Sequence, residues 1–314
     1  MAAPATGGAT PRTVHIAELP NGESKIFRDS SFFKKGYDFP SPEEIREKDI
    51  KINSFRARST RPPPIPFEEL GLVVKYGSAI TIAEAQCLWY FNKYMKDEVP
   101  TPELYGWCYD NGETFIYMEL IDADTLEDAW PSLNEEDQNV ICEQLRTYVE
   151  AWRNLRQETE PYYVGHIGRQ GVGDILFSAA GDANAGPFEG IKEFHDFFAR
   201  YSCRLQPDWN PRQDFPELAG LADDQPVVFT HADLDRSNIL VYPRDGESPA
   251  RVAAIIDWHQ SGWYPRDWEW LKAQSRCDAL REGGRDTAWL LKIMKPADKG
   301  YLMAWEFIVG SLGF

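Results

Sequence analysis

The chain has 314 residues and a formal net charge of −17, from 33 Lys and Arg against 50 Asp and Glu. That charge argues against a general nucleic-acid or anionic-membrane binder, because such affinity comes mostly from basic side chains that neutralise phosphates. Hydrophobic residues make up 43 % and aromatic residues 13 %. This is enough for a folded core, so global disorder is excluded.

The cysteines and the apolar segments place the protein in a broad class. Five scattered cysteines with no C-x-x-C pair indicate neither a zinc site nor a disulfide framework, so we expect free thiols in a reducing compartment. The N-terminus lacks the apolar stretch of a secretory signal, and no 18 apolar residues run together. These features predict an acidic globular protein of the cytoplasm.

Residues 1–60 are predicted to form a partly disordered N-terminal extension that leads into the Pro-rich run RSTRPPPIPF. Proline fixes φ and removes an N–H donor, so this run favours extended backbone over helix. Three arginines lie in or just before the run: Arg56, Arg58 and Arg61. They indicate either a solvated tether or a segment that faces phosphate.

The next part of the chain predicts a small sheet with one helix. GLVVKYG is typical of a short apolar strand and carries Lys75 near its end. TIAEAQCLWYFNKYM has apolar residues at helical spacing, with Glu84 in the first turns. Two further strands are predicted in LYGWCY and TFIYMEL, and the sequence DNG between them is a strong hairpin signal.

After Leu120 the predicted elements are mostly helical. Apolar spacing predicts a helix over 134–157, with acidic residues at its start and arginines at its end, as the helix dipole favours. A Gly-rich irregular region at 165–190 precedes a helix predicted over 191–205. Strands are expected in VVFTHADL and ILVYPRDGESPARVAAIIDW, before Trp-rich C-terminal helices.

The strongest chemical signal lies around those last strands. His231, Asp233 and Asn238 form the pattern H-x-D-x-x-x-x-N, and Asp257 ends the next apolar run. Carboxylate and amide oxygens are ligands that Mg²⁺ prefers, with substrate phosphates as its other ligands. A carboxylate free of the metal can accept a proton from a hydroxyl nucleophile. The pattern therefore favours phosphoryl transfer.

Together with Lys75, Glu84 and the segments IYMEL and GWYPRDWEW, this pattern resembles the aminoglycoside phosphotransferase, or choline-kinase-like, family, and especially its fungal-type group. The resemblance covers roughly residues 72–314. It implies an α+β, bilobal protein-kinase-like fold, with a β-sheet N-lobe at 61–120 and a mostly helical C-lobe at 121–314. It also implies an enzyme that uses ATP and Mg²⁺ to phosphorylate a hydroxyl of a small molecule.

The resemblance implies roles for individual residues. Asp233 would be the catalytic base and His231 would brace its loop. Asn238 and Asp257 would hold Mg²⁺. The nucleotide would be held by a strand lysine, its helix glutamate partner and the lobe junction: Lys75, Glu84, Met118, Glu119 and Ile121.

One departure from the family pattern concerns the ATP phosphates. No G-x-G-x-x-G lies upstream of Lys75. The sequence therefore does not identify the segment that covers the phosphates, for which Arg56, Arg58 and Ser59 are candidates. The missing loop puts the affinity for ATP in question.

Other residues concern the acceptor and the catalytic loop. Asp267 matches a structural acid that steadies this loop, while Asp235 and His259 are candidate substrate contacts. Spare carboxylates together with aromatic side chains would suit a cationic acceptor, through ion pairing and cation–π contacts.

Two other functions stay open at this point. The pairs His231-x-Asp233 and Asp257-x-His259 would suit a two-metal hydrolase. A catalytically silent or repurposed kinase-fold binding module would explain the missing Gly-rich loop. The kinase prediction implies a small-molecule partner, with neither nucleic acid nor membrane, and leaves the oligomeric state open.

Overall fold

The computed structural model describes residues 11–53, 59–179, 181, 185–203, 211–246, 248–279 and 287–312. The disorder predicted at the very start of the chain, and the candidates Arg56 and Arg58, lie outside these residues. Contacts group the chain into two units. The sheet unit comprises Ala17–Ile141 and Asp233–Ser261, and the helical unit comprises the described parts of Met1–Ile16, Cys142–Ala232 and Gly262–Phe314. The lobe boundaries expected after residues 60 and 120 stay a prediction.

Short strands and helices are mixed along the whole chain. The strands are β1 (Arg12–Val14), β2 (Ser24–Ile26), β3 (Ile65–Phe67), β4 (Leu72–Gly77), β5 (Leu104–Asp110), β6 (Glu113–Glu119), β7 (Asp124–Thr125), β8 (Leu155–Gln157), β9 (Val227–Thr230), β10 (Ile239–Tyr242), β11 (Arg251–Ile255) and β12 (Gly262–Pro265). The α-helices are α1 (Ser31–Lys34), α2 (Pro42–Asn53), α3 (Ile82–Tyr94), α4 (Leu126–Ala129), α5 (Glu135–Arg153), α6 (Ile175–Ala179), α7 (Ile191–Ala199), α8 (Pro211–Asp214), α9 (Trp268–Ala279), α10 (Ala288–Ile293) and α11 (Lys299–Leu312). In the described ranges, none of these helices has both the length and the hydropathy needed to cross a bilayer.

The sheet unit contains an antiparallel five-stranded sheet in the order β2-β5-β6-β4-β3. The predicted hairpin is confirmed, since Asp110 pairs with Glu113 and the two turn residues Asn111 and Gly112 both have positive φ. Along β4 the side chains of Val74 and Tyr76 are buried in the core. Alternation along a strand therefore puts Lys75 on the opposite face.

Helix α2 lies in a stretch for which the sequence predicted no helix. Ser41 and Glu44 form a capping box, in which the Ser41 N–H donates to Glu44 Oε2 at 2.7 Å and the Glu44 N–H donates to Ser41 Oγ at 3.2 Å. The helix buries Ile45 completely, and its Asp49 accepts a hydrogen bond from the Tyr76 hydroxyl of β4 at 2.5 Å. Residues 42–53 are thus part of the sheet unit and not a solvated tether.

A second sheet in the same unit, in the order β11-β10-β7, shapes the catalytic loop. β10 and β11 form the antiparallel pair expected from the sequence, with Ile239 opposite Ile255. Beyond that pair the Ile256 N–H donates to the carbonyl of Asn238 at 2.9 Å. The pairing brings Asn238 beside the residues that lead into Asp257.

The helical unit is built on aromatic packing. Tyr264 stacks on Trp268, and Phe194 and Phe198 contact Trp268 edge-on; all four rings are buried. These rings therefore form core and not the open pocket walls that could hold a cation. The unit also contains two short sheets, β1 with β8 and β9 with β12.

One predicted helix end is wrong. The helix predicted over 134–157 ends at Arg153, and residues 155–157 form β8, because they pair in parallel with β1. Pairing with a distant strand has overridden local helix propensity. Elsewhere the small antiparallel sheet and the many helices confirm the predicted α+β class.

Candidate functional site

A lysine between two carboxylates forms the centre of the candidate site. Lys75 Nζ donates to Glu84 Oε1 and to Asp257 Oδ1, each at 2.5 Å. Lys75 comes from β4, Glu84 from the first turn of α3, and Asp257 from the turn after β11. The structure thus brings together three residues that the sequence predicted as part of one site.

Burial and charge act in opposite directions on this group. Burial lowers the pKa of the Lys75 ammonium, but Asp257 and Glu84 outweigh it and raise the pKa. Burial raises the pKa of the Asp257 carboxyl, but the charges and hydrogen bonds of Lys75 and His259 hold that pKa well below its usual range. Both side chains are therefore ionised near neutral pH.

Asp257 has two further partners and an unusual backbone. His259 Nδ1 lies 3.0 Å from Asp257 Oδ1, and Arg61 Nη2 lies 3.6 Å from the same oxygen. The Asp257 backbone is left-handed, with φ 64° and ψ 54°. For a residue other than glycine this conformation raises the free energy of the backbone, and residues that adopt it are common at functional sites. We call Lys75, Glu84, Asp257 and His259 the Asp257 cluster.

Asp233 and Asn238 form the second part of the site. The Asn238 side-chain amide donates to the Asp233 carbonyl at 2.9 Å and to Asp233 Oδ2 at 3.2 Å. Both residues are buried. Asn238 Oδ1 takes no part in either bond, so the amide orients the Asp233 carboxylate while its own oxygen can face a cation.

Donor atoms in this part of the chain converge closely enough to hold a metal. One ligand atom each from Asp233, Asp257 and His259 lie within 4.8 Å of one another. Two carboxylates and the nearby amide oxygen of Asn238 fit the oxygen preference of Mg²⁺, whereas an imidazole nitrogen suits transition metals better. The donor set therefore fits Mg²⁺, and it groups Asp233 with the predicted ligand Asp257.

Glu269 supports the backbone of the catalytic loop, and the support predicted for Asp267 stays a prediction. The N–H groups of His231 and Ala232 donate to the carboxylate of Glu269, at 2.8 and 2.9 Å. Asp267 accepts from the Asp298 N–H at 3.0 Å. Glu269 is fully buried at the start of α9, where its side chain reaches the loop, while the Asp267 carboxylate lies against a different segment. His231 is itself fully buried, as a bracing residue would be.

The candidate substrate contacts have specific surroundings. Asp235 caps the helical turn Arg236–Asn238, since its Oδ1 accepts from the Ser237 N–H at 3.0 Å and the Ser237 hydroxyl at 2.8 Å. His259 Nδ1 is engaged by Asp257, and its buried Nε2 has no hydrogen-bond partner among the described residues. Asp235 thus has a local structural task, whereas His259 keeps one ring nitrogen available.

The predicted adenine-binding residues lie at the end of β6. Met118 is buried opposite Val73 of β4. The Glu119 N–H donates to the carbonyl of Glu103 at 2.9 Å. The next residues follow an irregular path, in which the Ile121 carbonyl accepts from the Ala123 N–H at 3.1 Å. Within the described residues no acceptor is paired with the Ile121 N–H, so that group can serve a ligand.

Two residues of this region were not assigned as site residues from the sequence. Glu269 lies in the segment GWYPRDWEW, two positions after Asp267, and only the fold distinguishes the two acids. Arg61 lies in the Pro-rich run, far from Asp257 in the chain, so the sequence gives no signal of their approach.

Residues 83–289 match the model of the phosphotransferase enzyme family, APH. A search of curated proteins finds no match. Among solved structures, the chain is similar to an aminoglycoside-3′-phosphotransferase of type VIII, with 15 % identity, 76 % of this chain and 84 % of that chain covered, and a TM-score of 0.44. It is similar to APH(3″)-Id from Streptomyces rimosus, with 13 % identity, 85 % and 96 % covered, and a TM-score of 0.45. It is also similar to a thermostable mutant of APH(4)-Ia with AMP-PNP and hygromycin B, with 13 % identity, 84 % and 88 % covered, and a TM-score of 0.46.

Proposed function

Because the chain belongs to the phosphotransferase enzyme family, we propose that it transfers the γ-phosphoryl group of ATP to a hydroxyl group of a small cationic metabolite. The family confirms the enzyme class predicted from the sequence, an ATP-dependent phosphotransferase with an alcohol group as acceptor. The Lys75–Glu84–Asp257 arrangement beside Asp233 is the observation that carries the proposal.

Lys75 is the residue that would bind the ATP phosphates. Glu84 holds its ammonium group at 2.5 Å, and the raised pKa keeps that group charged. A fixed positive charge at the phosphates stabilises the charge that develops during transfer. The Ile121 N–H, which lacks a partner among the described residues, supports binding of the adenine edge at the end of β6.

Asn238 and Asp257 would hold Mg²⁺, with Asp233 as their close neighbour. When bound, the ion neutralises phosphate charge and orients the phosphates for in-line transfer. The chain contributes a carboxylate at Asp257 that stays ionised, and an amide at Asn238 whose orientation is fixed by the bonds to Asp233.

Asp233 would accept the proton of the acceptor hydroxyl. Its carboxylate is buried and oriented through Oδ2 by Asn238. In addition, Glu269 fixes the backbone just before it, at His231 and Ala232. A carboxylate held in one orientation accepts a proton without reorganising, which lowers the barrier of general base catalysis.

A cationic acceptor is supported by the charge of the chain and of the loop. The net charge is −17, and two exposed acids, Asp122 just before β7 and Asp124 within it, lie at the edge of the sheet where β7 pairs with β10. A two-metal hydrolase receives less support, because Asp257 Oδ1 is already shared by Lys75 and His259. The phosphotransferase proposal also gives Lys75 and Glu84 a function.

Asp233→Asn tests the proposal most simply. The amide keeps the shape of the side chain but cannot accept the proton, so the rate of ADP formation should fall at least about 10²–10³-fold. Wild-type protein is incubated with ATP, Mg²⁺ and a metabolite extract, and mass spectrometry identifies the phosphorylated product. The variant is then assayed with that acceptor.

Asp235→Asn is the matched control on the same loop. It should retain most of the activity, because an asparagine also caps a helical turn. Undiminished ADP formation by Asp233→Asn would contradict the assignment of the base.

A further inference from the structure

The Asp257 cluster needs more positive charge than Lys75 supplies if it is to bind ATP. Lys75 is already paired with two carboxylates, Glu84 and Asp257, and Asp233 lies close to Asp257. A triphosphate brought to this group meets a local excess of negative charge in a chain whose net charge is −17. The sequence also lacks the glycine-rich loop whose backbone N–H groups would bind phosphate.

The short segment Ser59–Pro62 lies against the end of β4, close to Lys75. The Ala79 N–H donates to the carbonyl of Thr60 at 3.0 Å. Gly77, two residues after Lys75, has φ +142°, and a Cβ there would lie 2.3 Å from the Thr60 oxygen and 3.0 Å from Pro62 Cδ. The close approach therefore requires glycine at position 77, and it fixes the chain on both sides of Arg61.

Arg61 extends from this segment to the Asp257 cluster. Its Nη2 lies 3.6 Å from Asp257 Oδ1, beyond the range of a good hydrogen bond, and Lys75 and His259 already donate to that oxygen. About a third of the Arg61 side chain is exposed. A guanidinium has five N–H donors in a planar fork. Among the described residues, the contact to Asp257 is the one polar contact of the Arg61 guanidinium, so most of these donors can serve a ligand.

We propose that Arg61 is a phosphate-binding residue, and that the segment Ser59–Pro62 takes the place of a glycine-rich loop in this chain. This inference rests on the proposed function and deepens it. Arg61 supplies a second fixed positive charge beside Lys75 and donates to phosphate oxygens of the nucleotide. The rigid connection at Gly77 holds it there without a mobile glycine loop.

The test is a set of calorimetric titrations with adenosine, AMP, ADP and ATP, on wild type, Arg61→Ala and Arg61→Lys. Arg61→Ala should lower the affinity for ATP at least about tenfold and change the affinity for adenosine less than about twofold. Arg61→Lys should recover part of the loss, because it restores the charge but not the fork. Arg28→Ala is the matched control, since Arg28 is an exposed arginine of the same unit, and it should bind as wild type does.

A second titration series in EDTA separates two modes of action. If Arg61 contacts phosphate directly, Arg61→Ala should lower the affinity for ATP both with and without Mg²⁺. If Arg61 acts only through Asp257, the affinity should fall only when Mg²⁺ is present, and that result overturns the inference. Wild-type ATP affinity in Arg61→Ala, or an equal loss for adenosine, also overturns it. If wild-type protein binds no ATP at all, the proposed function fails together with the inference. Melting temperatures of all variants show whether each is folded.

Discussion

Each unit contains a lysine–aspartate pair, and the two pairs differ in burial and in how many of their polar atoms have hydrogen-bond partners. In the helical unit Lys272 Nζ donates to Asp174 Oδ1 at 2.5 Å. Asp174 also accepts from Trp268 Nε1 and from the Leu176 N–H, both at 2.9 Å, and it is 1 % exposed. This pair holds α9 against the segment that begins α6.

The pair Lys75–Asp257 in the sheet unit has the same length but different surroundings. The Asp257 side chain is 27 % exposed and its backbone is left-handed. Among the described residues, Glu84 Oε2 and His259 Nε2 are buried without a hydrogen-bond partner. A buried polar atom left unpaired is costly, so the Asp257 cluster is suited to a ligand and the Asp174 pair to stability.

The histidines show the same contrast. His195 in the helical unit is fully buried, with Nδ1 2.9 Å from Asp223 Oδ1 and Nε2 3.0 Å from the Tyr301 hydroxyl. A carboxylate only accepts, so Nδ1 carries the proton and Nε2 accepts from Tyr301. Both ring nitrogens of His195 have partners, whereas within the part of the chain that the structure describes His259 has a partner at Nδ1 and none at Nε2.

The difference in stability between the two pairs should be clearest at their aspartates. Asp174→Asn should lower the free energy of unfolding by about 3–5 kcal/mol, because it removes the carboxylate that pairs with the buried ammonium of Lys272. Asp257→Asn should cost about 1–2 kcal/mol, since Lys75 keeps the carboxylate of Glu84 and the side chain at position 257 is partly exposed. Urea unfolding of both variants measures the difference, and equal losses would remove the distinction between the pairs.

The buried His195 of the helical unit should make the free energy of unfolding depend on pH. Burial lowers the pKa of His195 to about 4, from 6.5 in the unfolded chain, and the bonds to Asp223 only partly offset this. Between these values the unfolded chain binds more protons, so stability is complete above pH 6.5 and falls as the pH drops toward 4, by up to about 3 kcal/mol.

His195→Gln isolates that contribution, because glutamine does not titrate. Unfolding free energies are measured between pH 7.5 and 4.5 for both proteins. The difference between wild type and variant should shrink as the pH falls. A constant difference across that range would show that His195 titrates normally in the folded protein.

The smallest expected effect concerns the cap of α2, away from both pairs. Ser41→Ala removes the hydroxyl that accepts from the Glu44 N–H and should cost about 1 kcal/mol. Ser41→Asn, which also caps helices well, should restore most of that loss. Thermal unfolding compares the three proteins, and no change in Ser41→Ala would show that the capping box contributes little.

The sequence predicted three members of the Asp257 cluster, Lys75, Glu84 and Asp257, as site residues because their signals are local. A lysine in an apolar strand, a glutamate in the first turns of a helix, and aspartates at strand ends can each be recognised from a few neighbouring residues, and a family resemblance orders them. The DNG hairpin and the strands β10 and β11 were predicted on the same basis and are confirmed. The match to the family model confirms the resemblance itself.

What the sequence could not predict depends on contacts between distant segments. The support of the loop by Glu269 depends on where α9 begins relative to the loop. The approach of Arg61 to Asp257 depends on the packing of Thr60 against Gly77. Helix α2 is different, because the pattern S-x-x-E at Ser41 and Glu44 is a local capping signal, and a helix there could have been predicted from the sequence.

We propose that Mg²⁺–ATP binds at the Asp257 cluster and not at the pair of Asp174 and Lys272. Calorimetric titration of Mg²⁺–ATP into wild type, Lys75→Met and Lys272→Met distinguishes the two, at a temperature where all three are folded. We predict equal affinities for wild type and Lys272→Met, and at least about tenfold weaker binding by Lys75→Met. Wild-type affinity in Lys75→Met, or a comparable loss in folded Lys272→Met, would contradict the claim.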